Sequence, residues 1–501
     1  MDAVADTKAN SAASRATVKA IPVVETMPAD LLTPLSVYLK LSEGSTHSFL
    51  LESVAGGENL ARYSFVGSDP AFVISGTDRS TTVCTGELDD SELIDESLFD
   101  YLRKHFAGVS VESPPRDLPS FIGGAIGYLG FPCINWFEPG IYEASNAVDQ
   151  ADAEFMIFRT VVAFDHARQA VKIITLVFPN DRDDADHGDD LIEAAQQKNA
   201  AIRRRLEDPS YTLPPRIPVH TPTQPPRSNF ERSEFESAVS TVKELIKAGE
   251  CYQVVLSQRF SKPTAADPLA VYRALRTINP SPYMFLLKFA DRAIVGASPE
   301  MLVRSEGRKL TYHPIAGTRK RGADAAEDNR LAEEMRHDTK EVAEHLMLVD
   351  LGRNDLGRVA EYGSVKVEEL MAVEKYSHVQ HLVSTLTAEL RPDRDRFDAL
   401  AACFPAGTVS GAPKVRAVEI IRELEPTPRG IYSGAVGYFD YSGNMDTCIA
   451  IRTLVLENGV ASIQAGAGIV ADSIPAAEYE ETVSKASVLL RAVEMAEEGR
   501  L

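Results

Sequence analysis

Proline crowds the stretch PSYTLPPRIPVHTPTQPP, residues 209–226. Its ring fixes φ and removes the backbone donor, so this stretch can neither propagate a helix nor fill a central strand. It reads as an extended, exposed linker over 209–227. A chain of 501 residues is longer than one ordinary domain, and the linker divides it into an N-terminal lobe, 21–208, and a C-terminal lobe, 228–501. Residues 1–20 are rich in Ala and Ser and carry Lys8, Arg15 and Lys19 but also Asp2 and Asp6. They read as a disordered tail, with an organellar targeting segment as the alternative.

The N-terminal lobe alternates β-branched and aromatic runs with turns: HSFLLES (47–53), AFVISG (71–76), FMIFRTVVAFDH (155–166) and AVKIITLVF (170–178). The last two predict a hairpin. Stretches near 90–107 and 189–206 predict helices, giving an α+β pattern rather than repeating βαβ units. In the C-terminal lobe, Val239, Val242, Leu245 and Ile246 mark an amphipathic helix over 229–249, capped by Ser228 or Asn229. YQVVLSQRF, YMFLLKF, RAIVGAS and MLVRSEG read as strands, 325–350 and 476–497 as long helices, and 434–470 as a strand meander. PIAGTRKRG (314–322) and FPAGTVSGAPK (404–414) read as tight turns.

The formal net charge is -21, with no basic block, which argues against a nucleic-acid partner. An anionic substrate would be repelled by that field unless its pocket is locally positive. The five cysteines are scattered; a reducing compartment, the cytoplasm, is the default. None lies in a Gly-x-Cys-x-Gly setting, so no glutaminase nucleophile is visible. No apolar run approaches the roughly 20 residues needed to span a bilayer, and no membrane association is expected.

Two carboxylate pairs stand out. Glu341 and Glu344 share one face of a predicted helix, and Glu478 and Glu481 repeat the spacing. Each pair alone reads as a solvated helix face. Carboxylate oxygens are nonetheless the hard ligands that Mg²⁺ prefers. Just upstream, in QAGAGIV (464–470), Gly466 and Gly468 would let backbone N–H groups approach an anion, as an amide nest. Arg452 and Lys485 add the positive charge that the acidic chain otherwise lacks. His381 alone would be a core residue, and DLGRND (350–355) a helix end held by Arg353.

The order of these segments resembles the chorismate-utilising enzymes. GECYQVVLSQR, GASPE, PIAGTR, KEVAEHLMLVDLGRND, AGTVSGAPK, YSGAVGYF, AIRT, AGAGIV and a final E-x-x-E-x-x-x-K follow one another as in that family, and LLES and GGAIGY extend the match into the N-terminal lobe. The resemblance implies a sandwich of large antiparallel sheets with outer helices (αββα), a regulatory N-terminal lobe and a chorismate-binding C-terminal lobe. It makes Glu341, Glu344, Glu478 and Glu481 the ligands of Mg²⁺, and Gly466, Ala467, Gly468, Lys485, Arg452 and Tyr432 the substrate-binding residues. Glu300 becomes the general acid for the departing C4 hydroxyl, His381 the histidine of pyruvate elimination, and Thr408 a neighbour in the same pocket.

Two positions separate the family's reactions. Relatives that add water at C2 carry a lysine base where this chain has Gln253, and an amide is no base at neutral pH. Relatives that aminate C4 carry a nucleophilic lysine where this chain has Ala316. Both point to ammonia attacking C2, then pyruvate loss, giving anthranilate. The ammonia is expected from a separate glutamine amidotransferase subunit, making the protein part of a hetero-oligomer. Glu52, Ser53, Asn279, Pro280, Ser281, Pro282, Tyr283 and Met284 match the family's allosteric tryptophan site. The alternatives are C4 amination, a stop before pyruvate loss, and a non-catalytic tryptophan sensor.

Overall fold

The computed structural model describes residues 18–53, 62–85, 91–112, 117–141, 151–179, 188–211, 224–375 and 379–499. The disordered tail expected over 1–20 falls largely outside these residues, although a strand, Val18–Pro28, already begins within that range. Most of the proline-rich stretch, 212–223, also lies outside them.

Two large sheets, of 13 and 12 strands, make the framework. Both draw strands from either side of the proline-rich stretch. In the first sheet His47–Glu52 pairs with Tyr283–Phe289, Met284 opposite Glu52 and Phe289 opposite His47. In the second, Gly124–Leu129 pairs with Ala435–Asp440. Pairing is antiparallel throughout apart from Val18–Pro28 with Val109–Val111.

One continuous core, with Phe49, Phe285, Ile126 and Phe439 among its members, fills the space between the sheets. Alternating apolar residues explain it, because the inward face of each sheet needs a partner face. A second cluster joins the first sheet to helices Pro34–Ser42, Pro268–Ile278 and Pro475–Glu497 through Val37, Val271 and Leu489. Helices Thr339–Gly357 and Arg396–Cys403 contact strands of the second sheet. The layering is αββα.

Several expected elements are differently built. The run 155–166 is two strands, Ala153–Phe158 in the second sheet and Thr160–Asp165 in the first, with Arg159 between them. Only Thr160–Asp165 forms the hairpin with Ala170–Val177. The stretch 90–107 opens with a strand, Ser91–Ile94, before its helix, Leu98–Ala107. The helix expected over 325–350 is two, Ala325–His337 and Thr339–Gly357. Asp338 breaks it in extended backbone, its side chain accepting the Lys340 and Glu341 N–H groups. The helix after the proline-rich stretch starts at Arg232 with Glu231 and Glu234 as a capping box, not with Ser228 or Asn229 as its cap. The expected meander also changes sheet: Ala435–Asp440 and Met445–Ile449 lie in the second, Thr453–Glu457 and Val460–Ile469 in the first.

Candidate active site

That change of sheet places Arg452 at the crossing, in left-handed backbone with φ 48. The strand it leads to, through Thr453–Glu457, is Val460–Ile469, which carries Gly466 and Gly468. They form no turn or nest: Gly466 lies opposite Ser257 and Gly468 opposite Val255 on the strand Gln253–Pro263. The Gly466 N–H donates to the Tyr432 hydroxyl, and its carbonyl accepts from Lys485 Nζ at 2.9 Å. Both polar groups therefore point away from Gln253–Pro263, and the two-residue period of a strand turns the Gly468 N–H to the same edge. Thr453–Glu457 covers that edge only as far as Ile463. Past that residue the edge carries the Gly468 N–H, while the Gly466 N–H is already taken by Tyr432.

A side chain on either glycine would press on a group of the site. A Cβ on Gly466 would meet Tyr432 Oη at 2.7 Å, and one on Gly468 would meet Gln253 Nε2 at 2.6 Å. Ala467 is fully buried in the core and offers the site backbone alone. Burial pushes the Tyr432 hydroxyl up to about 12, so it stays protonated. Gln253 is buried, its amide donates to Glu344, and its carbonyl oxygen has no hydrogen-bond partner among the described residues.

Glu300 follows the strand Arg292–Ser298 and is 6% exposed. Burial pushes its carboxyl up to about 8, against the Thr408 hydroxyl and the Arg452 charge, which pull it down. It is a protonated acid at neutral pH. The segment expected as a turn at 404–414 contains the short helix Gly407–Ser410, which brings Thr408 there. The other expected turn, at 314–322, is a strand, Ile315–Lys320, paired with Val379–Glu389. Its Gly317 carbonyl accepts from His381 Nδ1 at 2.9 Å. That fixes the tautomer and leaves Nε2 with the lone pair. Burial lowers the His381 pKa, the Gly317 bond opposes it and Arg452 adds to it, so the ring is neutral.

His381, Arg452 and Lys485 line a cavity of about 240 Å³ together with Asn279, Pro280, Ser281 and Pro282. Two cations and a neutral imidazole in one recess provide the local reversal of sign that an acidic chain needs to hold a dianion.

The carboxylates gather nearby. Burial raises the Glu344 pKa, and Glu341 and Glu481 add to it. Burial also raises Glu478, with Glu481 adding to it. The two helices thus bring like charges to one place, an arrangement that a divalent cation would relieve. The donor set, all hard oxygens, fits Mg²⁺. Glu341 meanwhile pairs with Arg319 at 2.8 Å and Glu481 with Lys485 at 2.7 Å. Among the described residues no three His, Cys, Asp or Glu side chains group closely enough to hold a metal.

A second cavity, of about 300 Å³, lies between the sheets. Glu52, Ser53, Pro282, Tyr283 and Met284 line it, with Arg304 and Asp446. Asn279, Pro280 and Ser281, expected in the same group, line the smaller cavity instead, and Pro282 lines both. Asn279 Oδ1 accepts from Arg452 Nη1 at 3.3 Å. The Ser53 hydroxyl is buried without a hydrogen-bond partner among the described residues.

Two further groups shape the site. Arg429, 1% exposed, pairs with Glu425 and donates to the carbonyls of Val255 and Val409, tying the Gln253 strand to the residue after Thr408. Arg319 forks between Glu341 and Asp338. Arg429 stands four residues from Glu425, but its reach to Val255 and Val409, like that of Arg319 to Asp338 and Glu341, spans stretches of chain that no periodicity links.

Residues 46–491 match the model of the chorismate binding enzymes. The chain belongs to that family. It is 43% identical over 490 residues to anthranilate synthase component 1 of Bacillus subtilis (strain 168), covering 95% of this chain and 93% of the relative. With the same component of Synechocystis it shares 44% over 494 residues, 94% and 96% of the two chains. The crystal structure of anthranilate synthase component I from Streptococcus pneumoniae TIGR4 superposes with a TM-score of 0.73 at 35% identity, covering 93% of this chain and 99% of the other. The menaquinone-specific isochorismate synthase from Escherichia coli, 20% identical with a TM-score of 0.70 over 95% of each chain, shares the fold.

Proposed function

We propose that the chain is the chorismate-converting component of an anthranilate synthase, making anthranilate and pyruvate from chorismate and ammonia in the first step of tryptophan biosynthesis. The observation that carries this reading is Gln253. A buried amide beside Glu344 cannot take a proton from water at neutral pH, yet its unpartnered carbonyl oxygen can accept a hydrogen bond from ammonia. Near-full-length identity of 43% to several components of that name supports it.

Chorismate's carboxylates are held by Lys485, by Arg452 and by the strand edge at Gly468. Ammonia attacks C2 and sheds a proton, both ring double bonds shift by one place, and the C4–O bond breaks as Glu300 protonates the departing hydroxyl to water. The product of this half is 2-amino-2-deoxyisochorismate. In the second half the C3–O bond to the enolpyruvyl group breaks. The C2 proton is lost with the neutral His381 as assisting base, the departing enolpyruvate gains a proton at its methylene carbon to become pyruvate, and the ring aromatises. The site works mainly by orientation and by stabilising charge as it develops. Glu341, Glu344, Glu478 and Glu481 would hold Mg²⁺, which when bound supplies positive charge to a substrate carboxylate.

The ammonia source is a separate glutamine amidotransferase subunit in a cytoplasmic hetero-oligomer. The larger cavity, with its carboxylate, proline and methionine walls, suits tryptophan as a feedback inhibitor. Pro282 lines both that cavity and the substrate recess, so a ligand that shifts one wall reaches the other.

The test is the purified chain with chorismate, Mg²⁺ and excess ammonium at alkaline pH, without glutamine or partner. Fluorescent anthranilate is the expected product. Para-aminobenzoate, salicylate or no turnover would overturn the reading.

A further inference from the structure

Arg319 holds one of the four carboxylates proposed above to bind Mg²⁺. One arm of its guanidinium donates to Glu341 Oε1 at 2.8 Å and the other to Asp338 Oδ2 at 2.9 Å. Asp338 is itself pinned, because its other oxygen accepts the N–H groups of Lys340 and Glu341 at the start of the helix. The Arg319–Glu341 pair is 23% exposed on each side, so solvent screens it only in part. The second oxygen of Glu341 rests over Gly317, where a Cβ would come within 3.2 Å of Oε2. One oxygen of this carboxylate is thus paired to the strand Ile315–Lys320 and the other lies close beside it.

We infer that Arg319 is a positioning residue that competes with the metal for Glu341. Mg²⁺ demands short oxygen contacts in a near-octahedral set, and it cannot share Oε1 with a guanidinium without repulsion between the two cations. In the resting chain Arg319 is the counter-cation of Glu341, and the metal enters as that contact is given up. Metal affinity without substrate is therefore held down. A substrate carboxylate, by adding a ligand to the set, drives the exchange, so metal and chorismate bind with positive coupling. Gly317 supplies the carbonyl that orients His381, which places the exchange and the seat of that imidazole on one strand. The inference rests on the magnesium reading above.

The experiment measures Mn²⁺ binding to the full chain by electron paramagnetic resonance, with and without chorismate, beside thermal melting. Wild type is expected to bind Mn²⁺ weakly alone and more tightly with chorismate. Arg319→Met should tighten the chorismate-free binding by about two- to fivefold, the scale of one partly screened ion pair, and shrink the coupling. Arg319→Lys, which keeps the charge but cannot fork, should fall between. Lys340→Met is the control, since the Lys340 charge also bears on Glu344 and Glu478; it should change binding less than Arg319→Met does. Equal shifts in Arg319→Met and Lys340→Met would reduce the effect to a general field and overturn the inference. So would unchanged or weaker Mn²⁺ binding in an Arg319→Met chain that melts normally. Should Arg319→Met fail to fold, unaltered coupling in Arg319→Lys overturns it in the same way. Wild type that takes up no Mn²⁺ even with chorismate refutes the magnesium reading instead and removes the inference with it.

Discussion

Replacing Glu300 by Gln separates two consequences of one buried proton. The folded chain holds this carboxyl at about 8, up from its ordinary 4.5, chiefly because it is buried. Between those values the native chain binds a proton that the unfolded chain has released. Stability contributed by the protonated form is complete below about 4.5 and is lost as pH rises toward about 8, at about 1.4 kcal/mol per pH unit. Glu300→Gln keeps the shape and removes the titration. Urea unfolding of both chains should show the stability of wild type relative to the variant falling by about 3 kcal/mol between about pH 5 and about pH 7. At fixed free ammonia, kcat/KM of wild type should fall above about pH 8 as the acid ionises. The variant should lose that limb along with about 10²- to 10⁴-fold of activity, the usual worth of a positioned acid. Unfolding curves that stay parallel across this range would refute the buried-proton argument. A variant that keeps wild-type kcat/KM would refute the acid role.

Other substitutions probe separate walls of the site. Gly466→Ala should lower chorismate affinity by more than about tenfold, because the added Cβ strikes Tyr432 Oη and, at 3.0 Å, the rigid Leu256 carbonyl. Gly468→Ala meets only the mobile end of Gln253 and should raise the KM for ammonia with chorismate affinity nearly unchanged; steady-state titration of each substrate distinguishes them. Ser53→Phe should fill the larger cavity and relieve tryptophan inhibition with activity retained, and unchanged sensitivity in a tryptophan titration would remove Ser53 from that site. Arg429→Ala strands the buried Glu425 charge and should cost about 3–5 kcal/mol in a urea melt.

Local chemistry made much of this legible. Tyr283–Phe289 and Arg292–Ser298 have the bounds that their apolar runs predict, because those residues decide strand or helix by themselves. Sheet membership is decided elsewhere. Nothing in the run 155–166 marks Arg159 as the point where the chain leaves one sheet for the other, since both halves are equally apolar and the choice rests on partners far along the chain. Asp338 was hidden for a related reason: the helical pattern continues through it, and only its capping bonds reveal the break. In the site, the spacing of the glutamates announced two carboxylate pairs. It could not show that Arg319 and Lys485 occupy one member of each, nor that the segment Asn279–Met284 divides itself between two cavities.

The interleaving of both sheets across the proline-rich stretch sets a timetable for synthesis. His47–Glu52 leaves the ribosome long before its neighbour Tyr283–Phe289 exists, and the Glu52 carboxylate waits for a tyrosine, Tyr272, 220 residues further on. His47–Glu52 and Gly124–Leu129 can pair early with Tyr63–Ser68 and Ala153–Phe158, but the other side of each must stay without its partner strand through much of translation, with apolar faces open to chaperones or to one another. Neither half holds a complete sheet. Two fragments cut within 209–226 should be insoluble when made singly and recover one native fold when made together, with the proline-rich stretch serving as a tether that raises the concentration of one half around the other.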